Sequence, residues 1–538
     1  MNDLLDFLQQ YKTNNKTKKI FFSLSGTYSP WQIFHVIVLT KSLNKKGYGI
    51  DYFIGGSQNV MERLINFNSN KIFKIKKINN IIKYFFKIVF YNIKLLPSFF
   101  SIQKAFDIEI DGVYIGDYIY DEFIRTTNKP TVSNVTIRYI LSINKALLFY
   151  FYYKGIFSSS KYEYVFTSHY CYIRYGMIAR IASKYGIKPI YYESFCDNGG
   201  FKLVKLYLKD DLNKVVNRIN TTFVNSYSKD LMILKKSKKY FNGVMKGDVE
   251  LLSDFHNFNN SRVSSNSTKR SDITKLRGDS KIIVISAHCL VDNITGINGR
   301  QTVYRDFYTW LIETLKQCDK NTNITTFLKI HPMEKEYTYK PKVIDVFKSV
   351  PLKNVFLWPD DLDLKENNDL IDVVLTVAGS VAIEFPCFGV PVIAASINTI
   401  PTSSYYEGIV EVRDKGEYID IIKKIHTIEK IDQNNKDISM LNYYFFYGSM
   451  WYFIDKKYYP TADDTIQSEY LKDRSFNYTN PTPVRRDSFS VIKNKLKLFD
   501  AEYGKKYESD LDEFFSNKDI RKLSEVRFFR EQSFELKE

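Results

Sequence analysis

Residues 371–391 read IDVVLTVAGSVAIEFPCFGVP. A continuous apolar run ends in Ala378-Gly379-Ser380, and helical spacing starts at or near Ser380. A run apolar on every position suits a strand covered on both faces, as in a parallel sheet. Gly379 lets a ligand approach the backbone, and Ser380 is a residue type that caps a helix. The N–H groups of the first turn would face an anion. Glu384 lies four residues after Ser380 on the same helical face, where a carboxylate can accept two hydrogen bonds from a ribose diol. The structural alternative is a plain helix start, with an acid that the helix dipole favours in its first turn.

The same alternation extends in both directions. Residues 281–286 (KIIVIS), 323–330, 355–358, 371–377 and 391–395 read as strands, with helices at 302–317, from 380, and at 418–429. Residues 281–430 therefore form one doubly wound domain. Residues 1–256 repeat the pattern, with strands at 19–24 (KIFFSL), 49–54, 111–115 (DGVYI), 162–167 and 188–192 and a helix at 30–46. The polar stretch 257–280 reads as a linker or exposed loop. Residues 431–538 read as a helical tail that packs back on the first lobe. The expected fold is α/β, with two Rossmann-like lobes and a helical C-terminal tail. Its ligand site is expected in the cleft, at the carboxyl ends of the strands.

The 538 residues suit two to four domains. Hydrophobic residues at 44% and charged residues at 25% exclude wholesale disorder and collagen-like repeats. The net charge of +17 favours phosphorylated ligands, anionic membrane or nucleic acid, although a Lys- and Asn-rich composition also raises it. No nucleic-acid motif is present, so that partner is not expected. Five scattered Cys form no CxxC and no metal-spaced pair, which argues against a disulfide framework and a zinc site. The N-terminus lacks the apolar run of a signal peptide, and no stretch reaches the ~20 apolar residues of a spanning helix. A cytoplasmic protein is expected. Residues 81–102 (IIKYFFKIVFYNIKLLPSFFSI) are basic and aromatic, and read either as a helix lying on an anionic membrane or as a buried helix with exposed lysines.

Phe327-Leu-Lys-Ile-His-Pro332 puts Lys329 and His331 at a strand's carboxyl edge, with Pro332 fixing the turn. An imidazole there can donate to a phosphate oxygen. Ser286-Ala-His288-Cys-Leu-Val-Asp292 follows the domain's first strand, and Arg300 downstream is a candidate anion clamp. A solvated loop explains each of these equally well. In the first lobe Asp117, Asp121 and Arg125 recur at i,i+4 spacing, which also reads as an ion-pair ladder. His169 and Glu193 follow later strands. Asp117, Glu193 and His169 are the candidate bases, and Ser25 and Gly26 after the first strand would shape the acceptor side.

KxHP, then GSxxxE, then GxPV in a second Rossmann-like lobe resemble the GT-B glycosyltransferases. The likeness is to bacterial capsule and surface-polysaccharide transferases, including those that take Kdo or sialic acid from CMP-sugars. It spans roughly residues 18–430. The family-like segment runs through His288, Asp292, Asp306, Trp310, Lys329, His331 and Pro332, and Gly116–Arg125 also resembles a motif of such proteins. The resemblance implies that His331, Pro332, Gly379 and Ser380 hold the nucleotide phosphate, and that an acid or His of the first lobe is the base. Lys329, Glu384, His288, Asp292 and Arg300 join the donor side, and Asp121 and Arg125 the acceptor side.

The expected reaction is inverting, metal-independent transfer from a nucleotide sugar, CMP-Kdo favoured, to a surface polysaccharide or glycolipid. No cofactor is expected, since no clear DxD lies between strands; Asp361-Leu-Asp363 has that spacing but sits in a polar loop. The alternatives are a nucleotide-sugar 2-epimerase, a polyol-phosphate transferase, and a non-catalytic scaffold at the inner face of the cytoplasmic membrane.

Overall fold

The computed structural model describes residues 4, 7–8, 18–24, 30–54, 69–73, 77–168, 171–194, 200–205, 207–208, 215–216, 227–246, 267–292, 302–396, 408–445, 452–454, 457–460 and 488–517. The first lobe is built on β1 (Lys18–Leu24), β2 (Tyr48–Ile54), β3 (Ser69–Phe73), β4 (Tyr164–Thr167), β5 (Lys188–Ser194) and β6 (Gly200–Lys205). Their order is β6-β5-β4-β1-β2-β3, parallel throughout except that β6 runs antiparallel to β5. Successive side chains of β1 serve opposite faces. Ile20 and Phe22 pack with Phe34 and Ile37 of α1 (Pro30–Lys45). Phe21 packs on the other face with α3 (Gly116–Thr127) and α4 (Ile137–Phe157), α2 (Lys77–Lys94) lying outside α4. Helix α5 (Met177–Lys184) connects β4 to β5.

The segment 111–115 is not a strand of this sheet. Val113–Tyr114 pairs antiparallel with Glu109–Ile110 in a small hairpin. Asp111 (φ 51°) and Gly112 (φ 80°) supply its turn, so turn chemistry overrides the apolar run.

The second lobe contains α6 (Leu231–Met245), α7 (Ser267–Arg277), β7 (Lys281–Ser286), α8 (Phe307–Lys320), β8 (Ile324–Lys329), α9 (Val343–Ser349), β9 (Val355–Leu357), β10 (Val373–Thr376), α10 (Val381–Cys387), β11 (Val392–Ala394), β12 (Ile409–Glu411), α11 (Lys415–Lys424) and α12 (Gln433–Tyr443). All six strands are parallel, in the order β9-β8-β7-β10-β11-β12. Counted along the chain this is 3-2-1-4-5-6, the Rossmann order, and it reverses between β7 and β10.

Two boundaries differ from the sequence reading. Phe241 and Val244 of α6 share an apolar cluster with Ile282, Val284 and Phe385, so this helix packs with the second lobe rather than the first. Residues 267–277 are helix, not linker, and Ile273 anchors them in that cluster. Two apolar residues, Ile273 and Leu276, in three turns are too weak a signal. Tyr443 of α12 packs there as well, so the crossing back begins later than residue 431. Beyond it, β13 (Tyr452–Phe453) pairs with β6. Helices α13 (Ser488–Glu502) and α14 (Gly504–Ser516) then cover α1, with Leu496, Phe499 and Leu511 in the first-lobe core. Lys45 donates to Glu508 at 2.7 Å across this seam, and Lys41 pairs with Asp500. Two doubly wound lobes with the tail returned to the first make a GT-B arrangement.

The seam between tail and lobe also holds His35 of α1, 2% exposed, its ring 6.3 Å from that of Tyr459. Burial pushes its pKa down to about 3. The unfolded chain, with an ordinary value of about 6.5, binds a proton that the folded one refuses. Stability therefore falls as pH drops from about 6.5 toward 3, by on the order of 2 kcal/mol at pH 5. Urea unfolding at pH 7 and pH 5 should show this loss, and His35→Phe should reduce it.

Candidate functional site

The reversal of strand order in the second sheet leaves a gap at the carboxyl ends of β7 and β10. Both flanks carry residues singled out in the sequence. His288 follows β7, with Nε2 3.1 Å from Thr376 Oγ1 and 3.4 Å from the Ala378 amide. Its ring stacks on Phe307 at 4.3 Å. Burial, helped by the nearby His331, pushes its pKa down to about 3, so the ring is neutral. Gly379 follows β10 with φ +102°, a conformation that favours glycine. A Cβ there would stand 3.5 Å from His288 Cε1. Gly379 is exposed and Ser380 half-buried, so the turn is open.

His331 lies one strand away, after β8. Its Nδ1 accepts from the Met333 amide at 3.1 Å, with Cys289 Sγ 3.5 Å off. Burial lowers its pKa, while Asp292 and Glu334 oppose the shift. In the neutral ring the proton therefore sits on Nε2. Among the described residues Nε2 has no hydrogen-bond partner, which leaves it a donor for a ligand. Pro332, itself exposed, opens a 3-10 turn directly after it.

Three donor-side expectations change. Ser380 does not cap α10 through its side chain, because its backbone is already helical (φ −60°, ψ −36°) and a cap needs an extended one. Glu384 is fully buried, with Oε1 2.9 Å from Lys365 Nζ, so it is not open to a ribose. Lys329 Nζ donates to the carbonyls of Pro359 and Asp360 at 3.3 and 3.4 Å, in the loop after β9, rather than toward β7. Asp363 holds the amides of Lys365 and Glu366, which is the work of a turn.

The first lobe approaches this edge through α3 and the chain after it. Asp306 is fully buried. Its Oδ1 caps α8 by accepting from the Thr309 amide at 2.7 Å. Its Oδ2 accepts from the Tyr120 hydroxyl and from Thr131 Oγ1, the latter at 2.7 Å. Tyr120 OH in turn accepts from the Val132 amide at 3.2 Å. Asn128 Nδ2 donates to Thr338 at 3.3 Å. The Arg125 guanidinium lies 4.7 Å from the ring centre of Tyr337. The charge of Asp292 is felt at Arg125, His331, Tyr337 and Tyr172. Arg125, placed on the acceptor side from sequence, thus meets the donor-side loop. Tyr120, Thr131, Tyr172 and Tyr337 had no signal in sequence, since tyrosines occur throughout this chain.

Asp117 is not placed as a base. It is fully buried and bound by both terminal nitrogens of Arg180, at 2.8 and 2.7 Å. Because residues 111–115 form a hairpin, Asp117 sits in the first turn of α3 and not at a sheet edge. Asp121, one turn on, is also fully buried and does not face an acceptor. Ser25, Gly26, His169 and Arg300 lie outside the described residues, as does the side chain of Glu193, whose backbone lies in β5 opposite Lys202.

Arg180→Ala should cost about 3–5 kcal/mol in urea unfolding, since it strands a buried carboxylate. Asp117→Asn should likewise lower stability, whereas a base would lose turnover at unchanged stability. At the lobe junction, Asp306→Ala should cost about 3 kcal/mol, as it removes a helix cap and two buried acceptor contacts. Tyr120→Phe should cost about 1 kcal/mol in the same assay.

No family model and no curated protein matches the chain. Among solved structures it is similar to Thermosulfurimonas dismutans KpsC, a beta Kdo 2,4 transferase, at 9% identity over 52% of this chain and 79% of that one, TM-score 0.30. It is similar to Methanocaldococcus jannaschii UDP-GlcNAc 2-epimerase at 11% identity over 80% and 99%, TM-score 0.26. A glycosyltransferase from Rickettsia africae shares 13% identity over 80% and 93%, TM-score 0.24. At these scores the likenesses assign no activity to this chain.

Proposed function

We propose that the chain is a glycosyltransferase that takes a sugar from a nucleotide donor bound in the second lobe. The observation that carries this is the strand-order reversal flanked by His288 and the Gly379–Ser380 turn, with the Nε2–H of His331 one strand away. Doubly wound sheets bind nucleotides at such a reversal. The donor phosphate sits against His331 and the open turn, where Gly379 presents no side chain. Arg125 reaches the same edge from the first lobe and supplies a full positive charge.

The acceptor hydroxyl attacks the anomeric carbon as the bond to the phosphate oxygen breaks. The electron pair stays on the departing nucleotide, and the hydroxyl proton goes to a first-lobe base. With Asp117 committed to Arg180, Glu193 and His169 remain the candidates. Direct attack from the face opposite the nucleotide inverts the anomeric centre. The Arg125 charge and the Nε2–H donor of His331 stabilise the leaving charge, and no step is routed through a metal.

A CMP-linked sugar, such as CMP-Kdo, suits this edge. Its single phosphodiester carries one negative charge, against two on a diphosphate donor, and both described imidazoles are held toward neutrality. The acceptor is proposed to be a surface polysaccharide or glycolipid, and the enzyme to work at the cytoplasmic face of the membrane.

His331→Ala should lower kcat/KM by about 10²–10³ in an assay of nucleotide release with acceptor present. It should also abolish the rise in melting temperature that CMP gives the wild type, which is about 2.7 kcal/mol of stabilisation at a hundredfold excess over Kd. Full activity in that variant would remove the assignment. Epimer formation from UDP-N-acetylglucosamine without nucleotide release would replace transfer by 2-epimerisation.

A further inference from the structure

Helix α2 is apolar on two opposite faces. Tyr84, Ile88 and Tyr91 face inward against α4, where the Tyr91 and Phe151 rings lie 5.3 Å apart. About 160° round the helix, at 100° per residue, a second stripe runs through Ile82, Phe85, Phe86, Val89, Phe90 and Ile93. All six are exposed, Phe86 to 85%. The 3-10 turn that follows (Leu96–Phe99) adds exposed Leu96, and Phe100 stands 87% exposed just beyond it. Tyr84 meets Gly155, and Asn92 bonds Asn144 at 2.7 Å, so α2 and α4 run antiparallel. That places exposed Ile137 and Leu141 of α4 at the same end as Leu96 and Phe100. Packing explains the inner face of α2 and nothing within the described residues covers the outer one.

Charge identifies what does. From residue 63 to 106 the chain has nine Lys or Arg and no Asp or Glu, and from 123 to 162 it has six and none. Lys83, Lys87 and Lys94 are exposed along one border of the stripe, with their stems beside aromatic rings: Lys94 Nζ is 4.6 Å from the Phe90 ring centre and Lys83 Nζ 5.2 Å from that of Tyr84. This is the arrangement in which lysines reach up to headgroups while the rings enter the acyl boundary. Asp111 is held by Tyr91, Tyr150 and Lys154 on the inner side. Among the described residues no helix is long and apolar enough to cross a membrane. We propose that α2 and the turn after it form a docking face that lies in the surface of an anionic bilayer, with the aromatic stripe inserted and the lysines at the headgroups.

The inference names a surface for the membrane partner and needs no nucleotide, so it stands or falls separately from the transferase reading. The test is co-sedimentation of the full chain with vesicles of phosphatidylcholine alone or with about a third phosphatidylglycerol. Wild type should sediment with the anionic vesicles, much less with the neutral ones, and less again at about 1 M salt, where the Debye length is near 3 Å. Phe86→Glu with Phe100→Glu should lose anionic binding at an unchanged melting temperature, because both side chains are exposed. Lys83→Glu with Lys87→Glu should lose the preference for anionic lipid. Sedimentation of the Phe variant at the wild-type level would overturn the proposal. So would a wild-type dimer that the same variant dissociates, without vesicle binding, since a second copy would then be the occupant.

Discussion

The carboxylate of Asp306 is where the two lobes become one site. It cannot be moved without consequence at three places: the first turn of α8, the Tyr120 hydroxyl on α3, and Thr131 beyond it. A fully buried carboxylate is tolerated only when its oxygens are well supplied with donors, and here donors come from both lobes. The helix that meets Asp306 through Tyr120 also carries Arg125 to Tyr337, about one and a half turns further along α3. Phe307, the residue after Asp306, is the ring on which His288 stacks. One carboxylate thus sets the lobe contact, the start of α8 and the ring beneath His288.

The sheets were legible because their strands are apolar on every position, a pattern that only a doubly covered parallel sheet requires. KIIVIS became β7 and KIFFSL lies within β1. What the run could not reveal was its partner. DGVYI has the same texture, yet Asp111 and Gly112 turn the chain at positive φ, and a two-residue hairpin results. Composition misled in the opposite direction at 267–277, a polar helix tied down by Ile273.

At the site, the legible part was position along the sheet edge. A residue directly after a strand must lie at that edge, so His288, His331 and Gly379 fell where periodicity put them. What each side chain does there depends on partners far away in sequence. Asp117 and Glu384 both sit in first turns, as the spacing required, but Arg180 and Lys365 bury them as ion pairs. No local pattern encodes a contact across 63 residues.

The two imidazoles at the edge then acquire a common meaning. Burial against Phe307 and the Thr376–Ala378 turn disfavours the charged form of His288, and the nearby His331 adds to that. A neutral ring donates one hydrogen bond without a counter-charge, so the standing positive charge near this edge is that of Arg125 rather than of the imidazoles. In the proposed function a donor phosphate beside His331 would favour its protonated form, the direction in which Asp292 and Glu334 already act. In the proposed transfer, His331 would then add to the standing charge of Arg125 only with the donor bound, which suits stabilisation of a departing nucleotide.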